Sequence, residues 1–174
     1  MDYLVSMTSK TAMRGNTICK VNNTLIRTVK GKSILLQLDV TTPRPYNRLQ
    51  TVCGTHGFLQ KYPRPTLQLE GKETWQGKQA EVKAQEFFKG EAARLWQEGH
   101  RAGVPNEMNY AMDSRLIYCL QHGLPLDIDA YDAAEWSCIA ELSEISARNG
   151  SQPVSIPDFT HGRWEVLPPH PFVR

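Results

Sequence analysis

The sequence predicts an α+β fold in which helices pack on one face of an open, mainly antiparallel sheet. Alternating apolar and polar residues typical of strands dominate roughly the first 70 residues. The three-to-four spacing typical of helices dominates residues 79–149. Strands joined by short loops pair antiparallel, because a parallel pair needs a long crossover, and helices that follow them pack on the sheet. We therefore expect one sheet of four to six strands that the helices cover on one side.

Turn-forming residues set the limits of the predicted strands. Lys30-Gly31-Lys32 predicts the turn of one hairpin, and the glycine-bounded residues 54–57 predict the loop of a second. The predicted strands are residues 2–8, 24–29, 33–41, 48–53, 58–62 and 66–69. The long third strand places Gln37, Asp39 and Thr41 on the face opposite its apolar residues. The face opposite the helices is therefore mixed in polarity, and the pattern leaves open whether it meets solvent or a second subunit.

Four helices are predicted in the second half. The first two lie at residues 79–88 and 91–98. The third and fourth lie in the stretch 106–149 and are joined at residues 123–125. The residues predicted to form the apolar face of the third helix are Met108, Met112, Leu116 and Cys119. Those predicted for the fourth are Trp136, Ile139, Leu142 and Ile145. Asp129, Asp132 and Glu135 crowd the start of the fourth helix, where carboxylates favour the positive helix end, so we interpret them as caps rather than catalysts.

Composition limits the classes of function. With 174 residues, 40% of them apolar, the chain suits one domain or one large half of a two-domain protein. Its net charge of +2 makes neither nucleic acid nor a membrane surface the expected partner. No apolar run approaches membrane-spanning length, and residues 151–174, rich in proline, are predicted to run extended. The four cysteines (Cys19, Cys53, Cys119 and Cys138) include no Cys-x-x-Cys pair and no histidine at ligand spacing. We expect buried free thiols and no metal site.

Motifs for independent catalysis are absent from the sequence. It has no glycine-rich loop between a strand and a helix, and therefore no dinucleotide or phosphate site of that type. Gly-x-Ser-x-Gly and His-Glu-x-x-His are also missing, so we assign no catalytic residue.

Longer motifs carry a resemblance to a known family. They are residues 3–7, 39–46, 54–57, 109–120, 123–127, 131–137 and 156–160. In this order, and over nearly the whole chain, they resemble the C-terminal part of glycoside hydrolase family 109, which belongs to the Gfo/Idh/MocA group of oxidoreductase-like proteins. Enzymes of this kind hydrolyse α-linked N-acetylgalactosamine by oxidation, elimination and addition, with NAD kept bound. NAD-dependent glycosidases need no carboxylate pair, and none at defined spacing is found here.

The resemblance implies that residues 1–174 form a single C-terminal domain for substrate contact and oligomerisation. It implies that an N-terminal Rossmann domain, absent from this chain, binds NAD. We therefore expect NAD to bind the longer protein and this chain alone to bind no cofactor and be inactive. The implied partners are a glycoside substrate, shared with the N-terminal domain, and a second copy of the chain bound through the sheet face. The compartment stays open, a periplasmic or secreted location included.

Tyr110 is the site residue that the resemblance implies. It matches a tyrosine that contacts the sugar from the C-terminal domain; the alternative is an aromatic residue that packs on the sheet. The family usually has His-Gly-Gly before Met-Asp-Tyr, whereas residues 104–107 read Val-Pro-Asn-Glu here. His100 lies too far back in the sequence to replace that histidine without a rearranged loop. This departure keeps an NAD(P)-dependent sugar dehydrogenase, or a dimerisation module without activity, as alternatives.

Other polar residues are weaker candidates. Arg44 and Tyr46, fixed between prolines after a strand, form a rigid corner that is either a ligand contact or a surface turn. Arg115 with Asp113 is either part of a pocket or an exposed helix pair. The histidines interpreted as surface residues are His56, His161 and His170.

Overall fold

The computed structural model describes residues 1–14 and 17–166, with the backbone alone for residues 10–14 and 17–20. The strands are β1 (Tyr3–Arg14), β2 (Thr17–Arg27), β3 (Ser33–Asp39), β4 (Thr51–Cys53), β5 (Gly57–Gln60), β6 (Thr66–Leu69), β7 (Thr74–Gln76) and β8 (Val154–Ser155). The helices are α1 (Lys78–Gln85), α2 (Glu91–Ala102), α3 (Glu107–His122) and α4 (Ala130–Arg148), followed by a 3-10 turn at Arg163–Glu165. Within the described residues, no helix has both the length and the apolar character needed to cross a membrane.

The predicted α+β class is confirmed, and every strand pairing is antiparallel. The strands form two four-stranded sheets, ordered β3-β2-β1-β8 and β4-β5-β6-β7, where the sequence had suggested one continuous sheet. The chain correspondingly divides into two compact units. The first contains Met1–Arg44 and the described residues from Ile128 onward, and the second contains Pro45–Asp127.

In the first unit, α4 packs across β1 and β2. Leu4, Ile26 and Ile156 are buried, and Ile139 and Leu142 of α4 pack against them. Burial of such side chains stabilises a fold by about 1.5–3 kcal/mol each. The predicted apolar stripe of α4 is therefore confirmed for Ile139 and Leu142.

The start of α4 is capped as the sequence predicts. Asp129 accepts hydrogen bonds from the N–H groups of Tyr131 and Asp132, and the Asp132 carboxylate accepts one from the Asp129 N–H, forming a capping box. These two carboxylates are caps. Trp136 and Ile145, predicted for the apolar stripe, are instead 56% and 39% exposed.

Buried hydroxyl groups join α4 to the sheet beside this core. The Ser6 N–H donates to Ser146 Oγ (2.9 Å), and Ser146 Oγ donates to the Gln152 carbonyl (2.7 Å). Thr24 Oγ1 lies 2.8 Å from Ser6 Oγ and donates to Ser143 Oγ at 3.0 Å. Across the described residues, no buried side-chain nitrogen or oxygen lacks a partner. The polar layer is therefore fully satisfied, as burial of polar groups requires.

We expect Ser146→Ala to lower the free energy of unfolding by about 1–3 kcal/mol, because it leaves the buried Ser6 N–H and the Gln152 carbonyl without a partner. Urea unfolding followed by circular dichroism measures the change. Ser137→Ala, on an exposed position of the same helix, is the control and should change stability by less than about 0.5 kcal/mol. Equal losses for both variants would contradict the assigned role of the hydroxyl layer.

The opposite face of this sheet is mixed, as predicted. Leu25 pairs with Leu35 and Asn23 with Gln37, and Gln37 Nε2 donates to Asn23 Oδ1 at 2.7 Å. Leu25 and Leu35 are 52% and 59% exposed. Polar and apolar pairs thus alternate along this face.

The second unit begins with a meander of four short strands. The loop of its first hairpin closes through the Gly54 N–H, which donates to the Gly57 carbonyl at 2.8 Å, as the sequence predicted. Helix α1 packs on β6 and β7, and Leu67 and Ala80 are buried there. Helices α2 and α3 then pack against each other.

Several predicted limits need correction. β1 ends later and β2 begins earlier than the alternating pattern indicated, because both strands continue over polar residues. β7 was not predicted. Cys119 is buried and Cys138 half-buried, as free thiols, but Cys53 is exposed because its short strand is not covered. The side chain of Cys19 and residues 167–174, with His170, lie outside the described part of the chain.

Candidate functional site

The site lies at the corner where α2 ends and α3 begins. Gly103 ends α2 in the left-handed conformation (φ 67°), which a glycine adopts without strain. Asn106 then caps α3, because its side chain accepts a hydrogen bond from the Asn109 N–H at 3.1 Å. A left-handed glycine followed three residues later by an N-cap reverses the chain within one short turn. The last turn of α2 therefore lies beside the first turn of α3.

Tyr110, the predicted sugar contact, is half-buried at this corner and packs on Gly99. A Cβ placed on Gly99 would lie 3.0 Å from Tyr110 Cδ1, 3.1 Å from Cγ and 3.3 Å from Cβ. Any larger residue at this position would press on the ring, which would have to move by a few tenths of an ångström. The backbone of α2 therefore packs closely against the Tyr110 side chain.

The face of α3 that packs on α2 differs from the one predicted. Ala111 and Cys119 are buried, whereas Met108, Met112 and Leu116 are 51%, 57% and 46% exposed. The small residues Gly99 and Ala111 let the two helices approach closely, so packing follows the small residues rather than the largest apolar row.

A histidine of the last turn of α2, His100, lies beside this corner. His100 Nδ1 is 3.0 Å from Glu107 Oε1, in the first turn of α3. The His100 side chain is 77% exposed and that of Glu107 28%. The hydrogen bond from His100 holds the pKa of Glu107 below its ordinary value. An ionised carboxylate only accepts, so Nδ1 carries a proton in this contact, and Nε2 is the ring nitrogen left to exchange one.

Arg115 also lies in the second unit, but it does not pair with Asp113. Its Nε and Nη2 atoms donate to the two carboxylate oxygens of Asp127, each at 2.8 Å. The two side chains are only 12% and 20% exposed, and this bidentate contact raises the pKa of Arg115. The pair ties the chain after α3 back to that helix, so Arg115 acts here as a structural residue.

Arg44, another sequence candidate, has partners within its own unit. Arg44 Nε lies 3.2 Å from Asp39 Oδ2, and its Nη1 donates to Gln37 Oε1 at 2.6 Å, in the first unit. Hydrogen bonds from the Thr42 hydroxyl and N–H hold the pKa of Asp39 below its ordinary value. The structure thus gives Arg44 protein partners.

Two histidines interpreted as surface residues are exposed. His56 Nδ1 lies 2.6 Å from Glu70 Oε2, and the two side chains are 83% and 70% exposed. His161 is exposed as well.

The described residues do not fit a dinucleotide. Such a ligand binds where a parallel strand runs through a glycine-rich turn into a helix, whereas both sheets here are antiparallel and β7 reaches α1 through the single residue Gly77. In the described ranges, no three His, Cys, Asp or Glu side chains are arranged to hold a metal ion.

Comparison with known proteins matches residues 3–166 to the family model described as "Glycosyl hydrolase 109, C-terminal domain". The chain belongs to glycosyl hydrolase family 109. It is 53% identical, over 184 aligned positions, to "Glycosyl hydrolase family 109 protein 2" of Phocaeicola vulgatus, covering 95% of this chain and 45% of that protein. It is 59% identical, over 147 positions, to a protein of Bacteroides fragilis named "Alpha-N-acetylgalactosaminidase", covering 83% of this chain and 35% of that protein.

The resemblance read from the motifs is therefore confirmed at the level of the family. A protein of Porphyromonas gingivalis, "Glycosyl hydrolase family 109 protein", is 46% identical over 82% of this chain. The chain spans less than half the length of each of these three relatives.

Proposed function

We propose that this family 109 chain is the part of an NAD-dependent α-N-acetylgalactosaminidase that contacts the sugar, and that Tyr110 makes the contact. The observation that carries the proposal is the 59% identity to the Bacteroides fragilis protein of that name. The packing of Tyr110 on Gly99 supports its role, because a ring that is held in place offers its face and hydroxyl to a sugar at little entropic cost. NAD, in this proposal, binds to residues outside this chain, and the residues of this chain bind and orient the sugar.

His100 completes the proposed site. Its neighbour in sequence, Gly99, touches Tyr110, and its Nδ1 is held by Glu107. An imidazole oriented by a carboxylate is suited to accept and return a proton at Nε2. We propose that His100 exchanges a proton with the sugar or with the departing group next to Tyr110. The sequence signal for this residue was the pair of turn residues Gly103 and Asn106, which brings the two helix ends together.

Tyr110→Phe tests the proposal in the protein at its natural length. We expect the unaltered protein to release the aryl group from an aryl α-N-acetylgalactosaminide, and Tyr110→Phe to lower kcat/KM by about tenfold, because one hydrogen bond to the sugar is lost. The ring stays, so the unfolding midpoint should not change. No release by a protein that retains NAD would overturn the proposed activity. Normal kinetics of Tyr110→Phe would remove only Tyr110 from the site.

A sugar dehydrogenase is the second candidate. The observation that favours it is the Val-Pro-Asn-Glu sequence at residues 104–107, which turns into α3 just ahead of Tyr110 and departs from the usual family motif. The same assay separates the two functions. Net formation of NADH from a free sugar supports the dehydrogenase, whereas aryl release without net NADH excludes it.

We also propose that the mixed face of the first sheet meets a second copy of the chain. The exposed Leu25–Leu35 pair beside the Asn23–Gln37 pair offers both apolar area and hydrogen-bonding groups. Sedimentation equilibrium should show a dimer that depends on concentration, and Leu35→Lys should weaken it. A monomer at all concentrations would end this proposal.

A further inference from the structure

A cluster of aromatic and cationic side chains lies at the base of the β4–β5 hairpin in the second unit, just before β4 and just after β5 in sequence. The Tyr46 and Tyr62 ring centroids are 5.9 Å apart, edge to face at 84°. Arg48 Cζ lies 5.4 Å from the centroid of the Tyr46 ring, and Lys61 Nζ lies 5.7 Å from that of Tyr62. The Lys61 N–H donates to the Gln50 carbonyl at 3.0 Å and so closes the base of the hairpin. We call these four side chains the Tyr46–Tyr62 cluster.

The cluster is open to solvent. Tyr46 is 67% exposed, Arg48 and Lys61 are exposed, and Tyr62 is half-buried. Exposed aromatic rings lose contact with water when a ligand covers them, so they favour binding more than exposed polar side chains do. The function proposed above makes no use of this surface.

The stretch of sequence that contains the cluster is positively charged. Residues 40–69 contain four Lys and Arg residues and no Asp or Glu, while the whole chain has a net charge of only +2. Arg44 is paired with Asp39, but none of the ion pairs among the described residues includes Arg48 or Lys61. Two cations without carboxylate partners, each over an aromatic ring, attract an anion.

The backbone beside Arg48 is strained in a way that shapes the cluster. Leu49 and Gln50 have φ values of 62° and 39°, in the left-handed region that non-glycine residues rarely adopt. Asn47 Oδ1 accepts a hydrogen bond from the Leu49 N–H at 2.6 Å and holds this turn. The turn reverses the chain after Arg48, whose Nε donates to the Tyr46 hydroxyl. Strain of this kind persists mostly where the resulting shape has a use.

We propose that the Tyr46–Tyr62 cluster binds an anionic saccharide. A sugar ring packs on the exposed tyrosine, and a carboxylate or sulfate on that or the next sugar pairs with Arg48 and Lys61. The choice of a saccharide rests on the proposed glycosidase function, since a glycan substrate extends beyond the sugar that is cleaved. The site would then select glycans that carry acidic groups.

Isothermal titration of the full chain with three tetrasaccharides tests the proposal without any turnover. The ligands are tetragalacturonate, which carries only carboxylates, sulfated neocarratetraose, which carries sulfates, and neutral galactotetraose. We expect at least one acidic ligand to bind at least about tenfold more tightly than the neutral one, since each charge-assisted contact is worth about that factor. Binding of only one acidic ligand identifies the acidic group. Failure of both would overturn the site and leave the glycosidase assay unaffected.

Two double variants distinguish a specific binding site from nonspecific attraction between charges. Arg48→Gln/Lys61→Gln should weaken binding by about tenfold or more. Lys72→Gln/Lys89→Gln removes the same charge from exposed positions of the same unit and should change binding by less than about twofold. Equal weakening by both pairs would overturn the proposal. Tighter binding of a single-stranded oligonucleotide than of either acidic saccharide would do so too, because stacked bases use the same groups.

Discussion

Replacing His100 by alanine in the protein at its natural length is expected to lower kcat by about a hundredfold, the lower end of the contribution of a positioned acid–base group. The reason lies in the contact with Glu107, which fixes the proton on Nδ1 and leaves Nε2 free to exchange one. Because the side chain is 77% exposed, the substitution should leave the fold intact. Initial rates with an aryl α-N-acetylgalactosaminide measure the effect.

The matched control is His122→Ala. His122 is also an exposed histidine of this helix pair, and its Nδ1 lies 2.9 Å from the Tyr118 carbonyl, so its loss should leave kcat unchanged. Added imidazole should partly restore the rate of His100→Ala, which a purely structural role would not allow. Glu107→Gln should cost less, about tenfold, because the ring remains but loses its charged partner. A normal kcat for His100→Ala would eliminate the proposed proton exchange.

Gly99→Val is expected to destabilise the second unit by about 1–3 kcal/mol, the usual cost of overpacking a close contact. Any Cβ here meets Tyr110 Cδ1 at 3.0 Å and, at 3.3 Å, Tyr110 Cβ. Because the latter atom is attached directly to α3, a rotation of the ring does not relieve this contact, and we expect the two helices to shift apart by a few tenths of an ångström. Valine has a higher helix propensity than glycine by a few tenths of a kcal/mol, so propensity alone would give the opposite sign. Urea unfolding measures the net change.

A double-mutant cycle assigns the loss to the ring. In the Tyr110→Ala background, Gly99→Val should cost clearly less, because Cδ1 and Cγ are gone and only Cβ, the most distant of the three atoms, remains. Gln97→Val, at an exposed position of the same helix, controls for a β-branched residue and should cost only a few tenths of a kcal/mol. The same loss in both Tyr110 backgrounds would show that the ring is not the cause.

Local signals in the sequence predicted the helix ends best. Asp129 starts α4 with a capping box, Gly123 ends α3 in the left-handed conformation, and Gly150 follows α4 with φ 70°. These signals act within one turn, so neighbouring residues suffice to predict them. The two hairpin turns at Gly31 and at residues 54–57 were predictable for the same reason.

Long-range packing was not predictable in the same way. Alternation shows which residues share a face of a strand but not which strands are neighbours, so the division into two sheets could not be predicted from it. β2 extends over polar residues because Asn22 donates to Ser6 Oγ and Thr8 Oγ1 across the ladder. On α3, the small residues Ala111 and Cys119 are buried whereas the larger Met112 is exposed, so hydrophobicity alone did not predict the buried face.

For the candidate site, the sequence supplied Tyr110 by resemblance, and its contact with sugar stays a prediction. Its close contact with Gly99 is a contact between two helices, and the spacing of the two residues in the sequence does not predict it. The position of His100 follows from two cap residues, Gly103 and Asn106, read together. The reversal between the two helices brings His100 into contact with Glu107, seven positions later.

The order of the chain through its two units bears on how the protein acquires its structure. The Ser6 N–H finds its partner on Ser146, 140 residues away, after the chain has passed through the whole of Pro45–Asp127. Contacts this distant in sequence form late, since closing a long loop costs entropy before any contact repays it. During synthesis, Pro45–Asp127 is complete before α4, which packs on the first sheet, has been made. A nascent chain therefore exposes Leu4 and Ile26 until α4 emerges, and exposed apolar surface of this kind favours aggregation.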